Sequence, residues 1–281
     1  MDYKNDILKL AQDSISLTIK GTPVNKTAST RFGGVPDVPG DFRWPCYITN
    51  TYDDNEVKPR PLAFIAQFNC EEISKYDFEH LLPEKGLLLF FYELDSQKWG
   101  FDPKDKGCAK VYWFESTEEL QPASVPQELS EDFRLPSVRI TAKSEKSYPS
   151  FADYSLTRDN MIGHWDEYDM SMKRIGVEDK DEIHKLLGWS NPIQGNMTMQ
   201  CELIKRGYYL GDSWDHITPR DKQESIDRSG KDWLLLFQLS TVYNDELKLS
   251  LGDDGRIFFY IHRDDLAKRN FDNIWLILQS Y

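Results

Sequence analysis

Residues 61–69 read PLAFIAQFN and residues 232–240 read DWLLLFQLS; each is followed, after a gap, by an aromatic strand opened by glycine, GLLLFFYEL at 86–94 and GRIFFYIHR at 255–263. Gln67 and Gln238 lie 171 residues apart and Gly86 and Gly255 lie 169 apart, so the two blocks keep nearly one offset. Self-similarity in fixed order is the first thing to seek in a sequence, because it dictates the architecture. It predicts an α+β fold made by internal duplication. Two mainly antiparallel β-sheet units with short helices would bury their apolar faces on each other about a pseudo-twofold axis, leaving a concave seam. A third, weaker match sets Phe32-Gly33-Gly34-Val35-Pro36 against Leu187-Gly188-Trp189 and the run to Gln194. The units span about 29–143 and 178–281 within one domain of 1–281.

Around these blocks the chain reads as follows. An opening helix through Ile7, Leu10 and Ala11 precedes a half-buried strand at 16–20, where apolar and polar residues alternate. Residues 30–40 hold three Gly and two Pro and form an irregular loop with positive-φ positions, closed by Trp44-Pro45. Strands are predicted at 62–68, 87–92, 109–114, 233–239, 256–262 and 274–279. A helix is predicted over 71–82, and another over 179–187, where Ile183, Leu186 and Leu187 share a face and Gly188 is the stop. Residues 116–178 read as a long connection with one short strand at 137–141.

Composition narrows the function classes. An apolar fraction of 40% with 13% aromatic residues excludes a disordered chain. A net charge of −13 disfavours nucleic acid, whose backbone is bound through Lys and Arg, and suits a basic protein partner as well as plain solubility. The four cysteines form no C-x-x-C pair and read as reduced thiols of a cytoplasmic protein. The N-terminal residues lack the pattern of a secretion signal, and no window resembles a membrane span.

No catalytic constellation emerges. Gly211-Asp212-Ser213-Trp214 looks like an esterase turn, but the Asp-x-x-His pair Asp181 to His184 lies upstream, and no G-x-S-x-G elbow exists. Gly252-Asp253-Asp254-Gly255 lacks the alternating ligands of a calcium loop and reads as a hairpin turn. His164 to Asp169 and Asp212 to His216 lack H-E-x-x-H spacing, and no Walker or G-x-G-x-x-G loop occurs. No metal or cofactor is expected. Gln67 and Gln238 are polar side chains in apolar strands and must find partners, either by holding a neighbouring loop or by binding a ligand.

The chain resembles the YwqG-like family of bacterial proteins. The matching features are F-G-G-x-P-x-x-P at 32–39, Trp44-Pro45, P-L-x-F-I-A-Q-F at 61–68 and L-P-x-x-G-x-L-x-F-F at 82–91. The second half adds H-x-L-L-G-x-x-x-P-I-Q at 184–194, W-L-L-L-F-Q at 233–238, G-D-x-G at 252–255 and W-x-x-x-x-Q at 275–279. Leu251 stands where the family pattern often has Trp before the Gly-Asp pair. The resemblance implies duplicated antiparallel sheets and no established activity. Such proteins are sometimes encoded near secreted-toxin systems, which implies an immunity role. The leading expectation is a binding protein with an acidic, aromatic-lined face for a basic protein or toxin. The competing one is a small-molecule binder or unrecognised hydrolase in the seam. Candidate binding residues are Arg31, Gly33, Gly34, Trp44, Gln67, Gln194, Gln238 and Asp253.

Overall fold

The structure is a computed structural model that describes residues 2–21, 26–178, 180 and 182–281. The chain opens with α1 (Lys4–Lys9), β1 (Gln12–Ile19) and the short β2 (Arg31–Phe32) and β3 (Asp37–Val38). A ribbon of β4 (Cys46–Thr49) and β5 (Lys58–Pro61) leads into β6 (Ala63–Asn69), α2 (Cys70–Ile73), β7 (Leu87–Tyr92) and β8 (Ala109–Phe114). Next come β9 (Gln121–Pro122), β10 (Val138–Ser147), α3 (Phe151–Ser155), α4 (Trp165–Arg174) and β11 (His184–Leu186). The last stretch holds α5 (Met197–Lys205), α6 (Pro219–Asp232), β12 (Trp233–Ser240), β13 (Val242–Tyr243), β14 (Lys248–Leu249), β15 (Arg256–His262), α7 (Arg263–Ala267) and β16 (Trp275–Gln279).

The fold is α+β with antiparallel pairing throughout the described sheets. Ten strands form one sheet in the order β16-β15-β12-β11-β1-β10-β2-β6-β7-β8. β7 and β12 are buried along their whole length, in keeping with the unbroken apolar sequence of β7 and with that of β12, which only Gln238 and Ser240 interrupt. In β1 Ile15 and Leu17 are buried, while Ser16 and Thr18 are less so. The β6–β7 pairing shifts register between Phe64 and Ala66, and the β12–β15 pairing shifts between Leu235 and Phe237. Such bulges bend a strand and increase its twist. The sheet curls far enough for its arms to meet. Phe68 and Phe90 of one arm lie 5.2 and 4.9 Å, centroid to centroid, from Phe237 of the other, and Phe90 lies 5.2 Å from Phe259. These rings fill the space between the arms.

The outer edges of the sheet are covered. Leu278 of β16 donates its N–H to the Trp99 carbonyl at 3.0 Å, and the Trp275 indole donates to Gly100 O at 2.8 Å. The turn at Phe271–Asn273 packs along β8. Covered edges remove a template for unwanted strand pairing.

Several predicted elements change. The helix expected over 179–187 is not formed: His184–Leu186 is the strand β11, held between β1 and β12. Asp179 and Asp181 lie outside the described residues. Pairing on both sides outweighs the three apolar residues at helical spacing, and Gly188 serves a loop at φ +72°. The helix expected over 71–82 stops at Ile73 and tightens into a 3₁₀ turn at Ser74–Tyr76. The Asn69 side chain caps its start, accepting from the N–H groups of Glu71 and Glu72. Downstream, the Asp77 carboxylate takes the Leu82 N–H at 2.7 Å, which a continuing helix would use internally. The 116–178 connection holds the ten-residue β10, which pairs with β1 over Ile140–Ser147 and with β2 at Val138 and Arg139, and the helices α3 and α4.

Candidate functional site

The candidate residues fall mainly into two corners, one on each arm. In the first, Arg31 on β2 stands opposite Gln67 on β6. Gln67 Oε1 accepts the Asp37 N–H at 3.1 Å, while its Nε2 donates to Asp37 Oδ2 at 2.7 Å and Ser29 O at 3.0 Å. Arg31 Nη1 donates to Asp37 Oδ2 at 2.9 Å, and its Nη2 donates to the Val35 carbonyl. Arg31, Asp37 and Gln67 are all buried. Gly33 and Gly34 make the turn at φ +59° and +79°, and a Cβ at Gly33 would lie 2.2 Å from Pro136 O. A cavity of about 370 Å³, with Lys26, Arg31, Val35, Asp37 and Ser137 in its wall, opens beside this corner.

The second corner repeats these contacts, with Lys185 and Asn191 lying 154 residues after Arg31 and Asp37 and Gln238 lying 171 after Gln67. Lys185 on β11 stands opposite Gln238 on β12. Gln238 Oε1 accepts the Asn191 N–H at 2.9 Å, and its Nε2 donates to Ile183 O at 3.2 Å and Asn191 Oδ1 at 3.5 Å. Lys185 Nζ donates to Trp189 O at 2.6 Å. Leu187 and Gly188 have φ of +61° and +72°, as Gly33 and Gly34 do. Gln279 extends the scheme: its Oε1 accepts from Ile193 and Gln194 N–H, and Gln194 Nε2 donates to Ser280 O. In both corners the amide side chains hold loops. A groove of about 350 Å³ borders the second corner, with Tyr148, Phe151, Trp165 and Arg256 in its wall. Arg256 donates to Asn191 O at 2.9 Å and Lys180 O at 3.1 Å.

Trp44 and Asp253 join neither network of buried amides. The Trp44 indole donates to Leu62 O at 2.8 Å, and its ring meets Phe91 edge-on in a smaller core. Asp253 is exposed on the β14–β15 turn, its carbonyl accepting the Tyr281 N–H. Ser213 caps the 3₁₀ turn at Trp214–His216 and donates to its neighbour Asp215 at 2.5 Å, an arrangement of a loop cap. Among the described residues no cluster of three or more His, Cys, Asp or Glu could hold a metal.

An open apolar surface lies elsewhere, on the β4–β5 ribbon and its connecting turn. Ile48 is 66%, Tyr52 84% and Val57 66% exposed. Large side chains clustered in water mark an interaction surface rather than scattered exposure. Beside the turn, Tyr52 and Trp99 are among the walls of a cleft of about 280 Å³. Carboxylates surround the ribbon. Burial and the charges of Asp53 and Asp54 push the Asp95 carboxyl up, although Arg60 opposes this. Burial likewise raises Glu93 and Asp105, helped by neighbouring Asp95 and Asp102 respectively. Lys58 and Arg60 are engaged by Asp54 and Glu56. Residues 111–133 carry six carboxylates and no Lys or Arg; among the described residues only Glu115 of the six makes an ion pair, with Lys85. Sequence reasoning passes over residues 46–60. Their signal is a pair of short runs flanking the polar turn NTYDDNE at 50–56.

Residues 30–280 match a family described as a domain of unknown function, DUF1963. The chain belongs to that family. No curated protein matches it. No helix among the described residues is long and apolar enough to cross a membrane.

Proposed function

We propose that this DUF1963 protein is a non-catalytic binding protein that presents the β4–β5 ribbon and its acidic surroundings to a basic partner protein. The observation that carries the reading is the exposure of Ile48, Tyr52 and Val57 beside Asp53, Asp95 and Glu128, carboxylates that have no ion-pair partner among the described residues. Apolar anchors would supply affinity and the carboxylates would steer a cationic partner. A basic toxin held in check in the cytoplasm is one partner of this chemistry, in keeping with the YwqG-like resemblance. The matched corners support a further reading, that the arms are two copies of one ancestral unit packed about a pseudo-twofold axis.

A small-molecule site between the arms has the Phe32, Phe68, Phe90, Phe237 and Phe259 rings in its way. The groove beside Arg256 is the more open place for such a ligand. The test is affinity capture from host lysate at low and high salt, with the native chain and an Ile48→Asp/Val57→Asp variant side by side. The expected result is a basic protein retained by the native chain, released by salt and missed by the variant. Identical retention on both columns would remove the ribbon face from consideration.

A further inference from the structure

We propose that the outer edge of β4 takes up an extended, basic segment of the partner as an added strand, a mode of binding that rests on the ribbon being the partner-binding face. The pairing phase of the ribbon sets the geometry. Leu62 donates its N–H to Pro45 O at 2.9 Å, and the register continues Tyr47 to Arg60 and Thr49 to Lys58. In an antiparallel pair alternate residues exchange backbone hydrogen bonds with the partner strand, and those between them direct N–H and C=O outward. The outward positions are therefore Cys46 and Ile48 on β4, and Pro59 and Pro61 on β5. Proline has no N–H to offer, so the β5 edge is blunted. The β4 edge is not blunted: its sheet has two strands only, and among the described residues no hydrogen bond occupies the Cys46 or Ile48 backbone. The contrast with the covered outer edges of the ten-stranded sheet is direct.

Charge selects the occupant. Glu128 lies close enough to Cys46 to push its thiol pKa up, after burial. Asp53 and Asp95 lie near the ribbon's turn, while both ribbon cations are already paired. A strand alternating apolar and basic side chains would set one row against Ile48 and the other toward these carboxylates. A second copy of this chain would instead bring two bodies of charge −13 together.

The probe is an end-capped octapeptide alternating lysine and valine, compared with two versions N-methylated at every second residue, in either phase. Binding to the full chain is titrated at low and high salt, with amide exchange followed at Cys46 and Ile48. Strand addition predicts that one methylation phase weakens binding by about tenfold or more while the other leaves it within about threefold, since backbone bonds and not charge differ between them. It also predicts slowed exchange at Ile48 in the complex. If all three peptides bind alike and are released by salt, strand addition is overturned and the acidic-face reading stands. If none binds at low salt, both readings fall. A dimer that forms without peptide and is lost on Ile48→Asp substitution would assign the edge to a second copy and overturn the basic occupant.

Discussion

Arg31 and Asp37 form a buried ion pair with 2.9 Å between Nη1 and Oδ2, and the corresponding places in the second corner hold Lys185 and the neutral Asn191. One corner keeps its charges matched, and the other keeps a cation without the acid. Removing one partner of a buried pair leaves the remaining charge uncompensated, at a cost of about 3–5 kcal/mol. Arg31→Met is therefore expected to destabilise the protein by about that amount, measured by urea denaturation. A loss below about 1 kcal/mol would mean that water reaches Asp37 in place of the guanidinium.

Lys185 responds differently. Burial pushes its ammonium down to about 8, with Arg256 adding to the shift and Glu145 and Asp153 opposing it. In the unfolded chain a lysine titrates near 10.4, so between these values the unfolded state holds a proton that the folded state has released. Stability from this group therefore rises as pH climbs from about 8 to 10.4, by an amount on the order of 3 kcal/mol, and is at its lowest below pH 8. Buried Tyr92, Tyr260 and Cys108 have raised pKa values and act in the opposite direction over the alkaline range. The readout is thus the stability of the native chain minus that of the Lys185→Met chain, which should rise as pH climbs from about 8 to 10.4. A difference independent of pH would show that Lys185 is solvated.

Much of the sheet is legible in the sequence: 87–92 is an unbroken apolar run and 233–239 is apolar but for Gln238, the composition of strands buried on both faces. β11 is not, because His184, Lys185 and Leu186 have no strand pattern of their own and are fixed by β1 and β12. The corners are half legible. Gln67 and Gln238 stand out as polar groups in apolar strands, yet the sequence match of Phe32 to Leu187 is one residue off the structural one. The register places Phe32 with Leu186, since Phe32 pairs with Ala66 and Leu186 with Phe237. The glycines misled because Leu187, which carries a side chain, adopts the positive φ that Gly33 adopts in the first corner. α6 was missed although Thr218 and Pro219 form a good helix start, because its buried residues include Ser225 and Ser229 rather than an apolar stripe.

The strap over β16 depends on Gly100. It sits at φ +77°, and a Cβ there would lie 1.8 Å from the Leu276 carbonyl oxygen. Gly100→Ala must both strain the backbone and push the strap off the edge, costing at least about 1–3 kcal/mol. Light scattering during heating should rise earlier than in the native chain, since an uncovered edge pairs with other molecules. Equal stability and equal scattering would show that the strap shifts freely.

The ribbon side chains carry the reverse expectation. Tyr52 and Val57 face water, so Tyr52→Ala and Val57→Asp should each change stability by no more than about 0.5 kcal/mol. Partner capture should nevertheless weaken for both. A large stability loss would identify these residues as part of the fold and withdraw them from the binding face.

Phe237 is where the arms are joined. Its ring lies 6.0 Å from Phe32, 5.2 Å from Phe68, 4.9 Å from Phe90 and 5.8 Å from Phe259, so four rings lose a neighbour when it is truncated. Phe237→Ala leaves a cavity between two curved arms that are also held by β1 and β10, so the site has little freedom to collapse. The expected loss is about 3–5 kcal/mol, at the upper end because the cavity persists. Phe237→Leu retains most of the volume and should cost less than half as much. The decisive comparison is in unfolding cooperativity. If the arms form one core, both variants unfold in a single transition with an unchanged denaturant slope. If the arms are separable, Phe237→Ala splits the curve in two, with tryptophan fluorescence and far-ultraviolet circular dichroism reporting different midpoints.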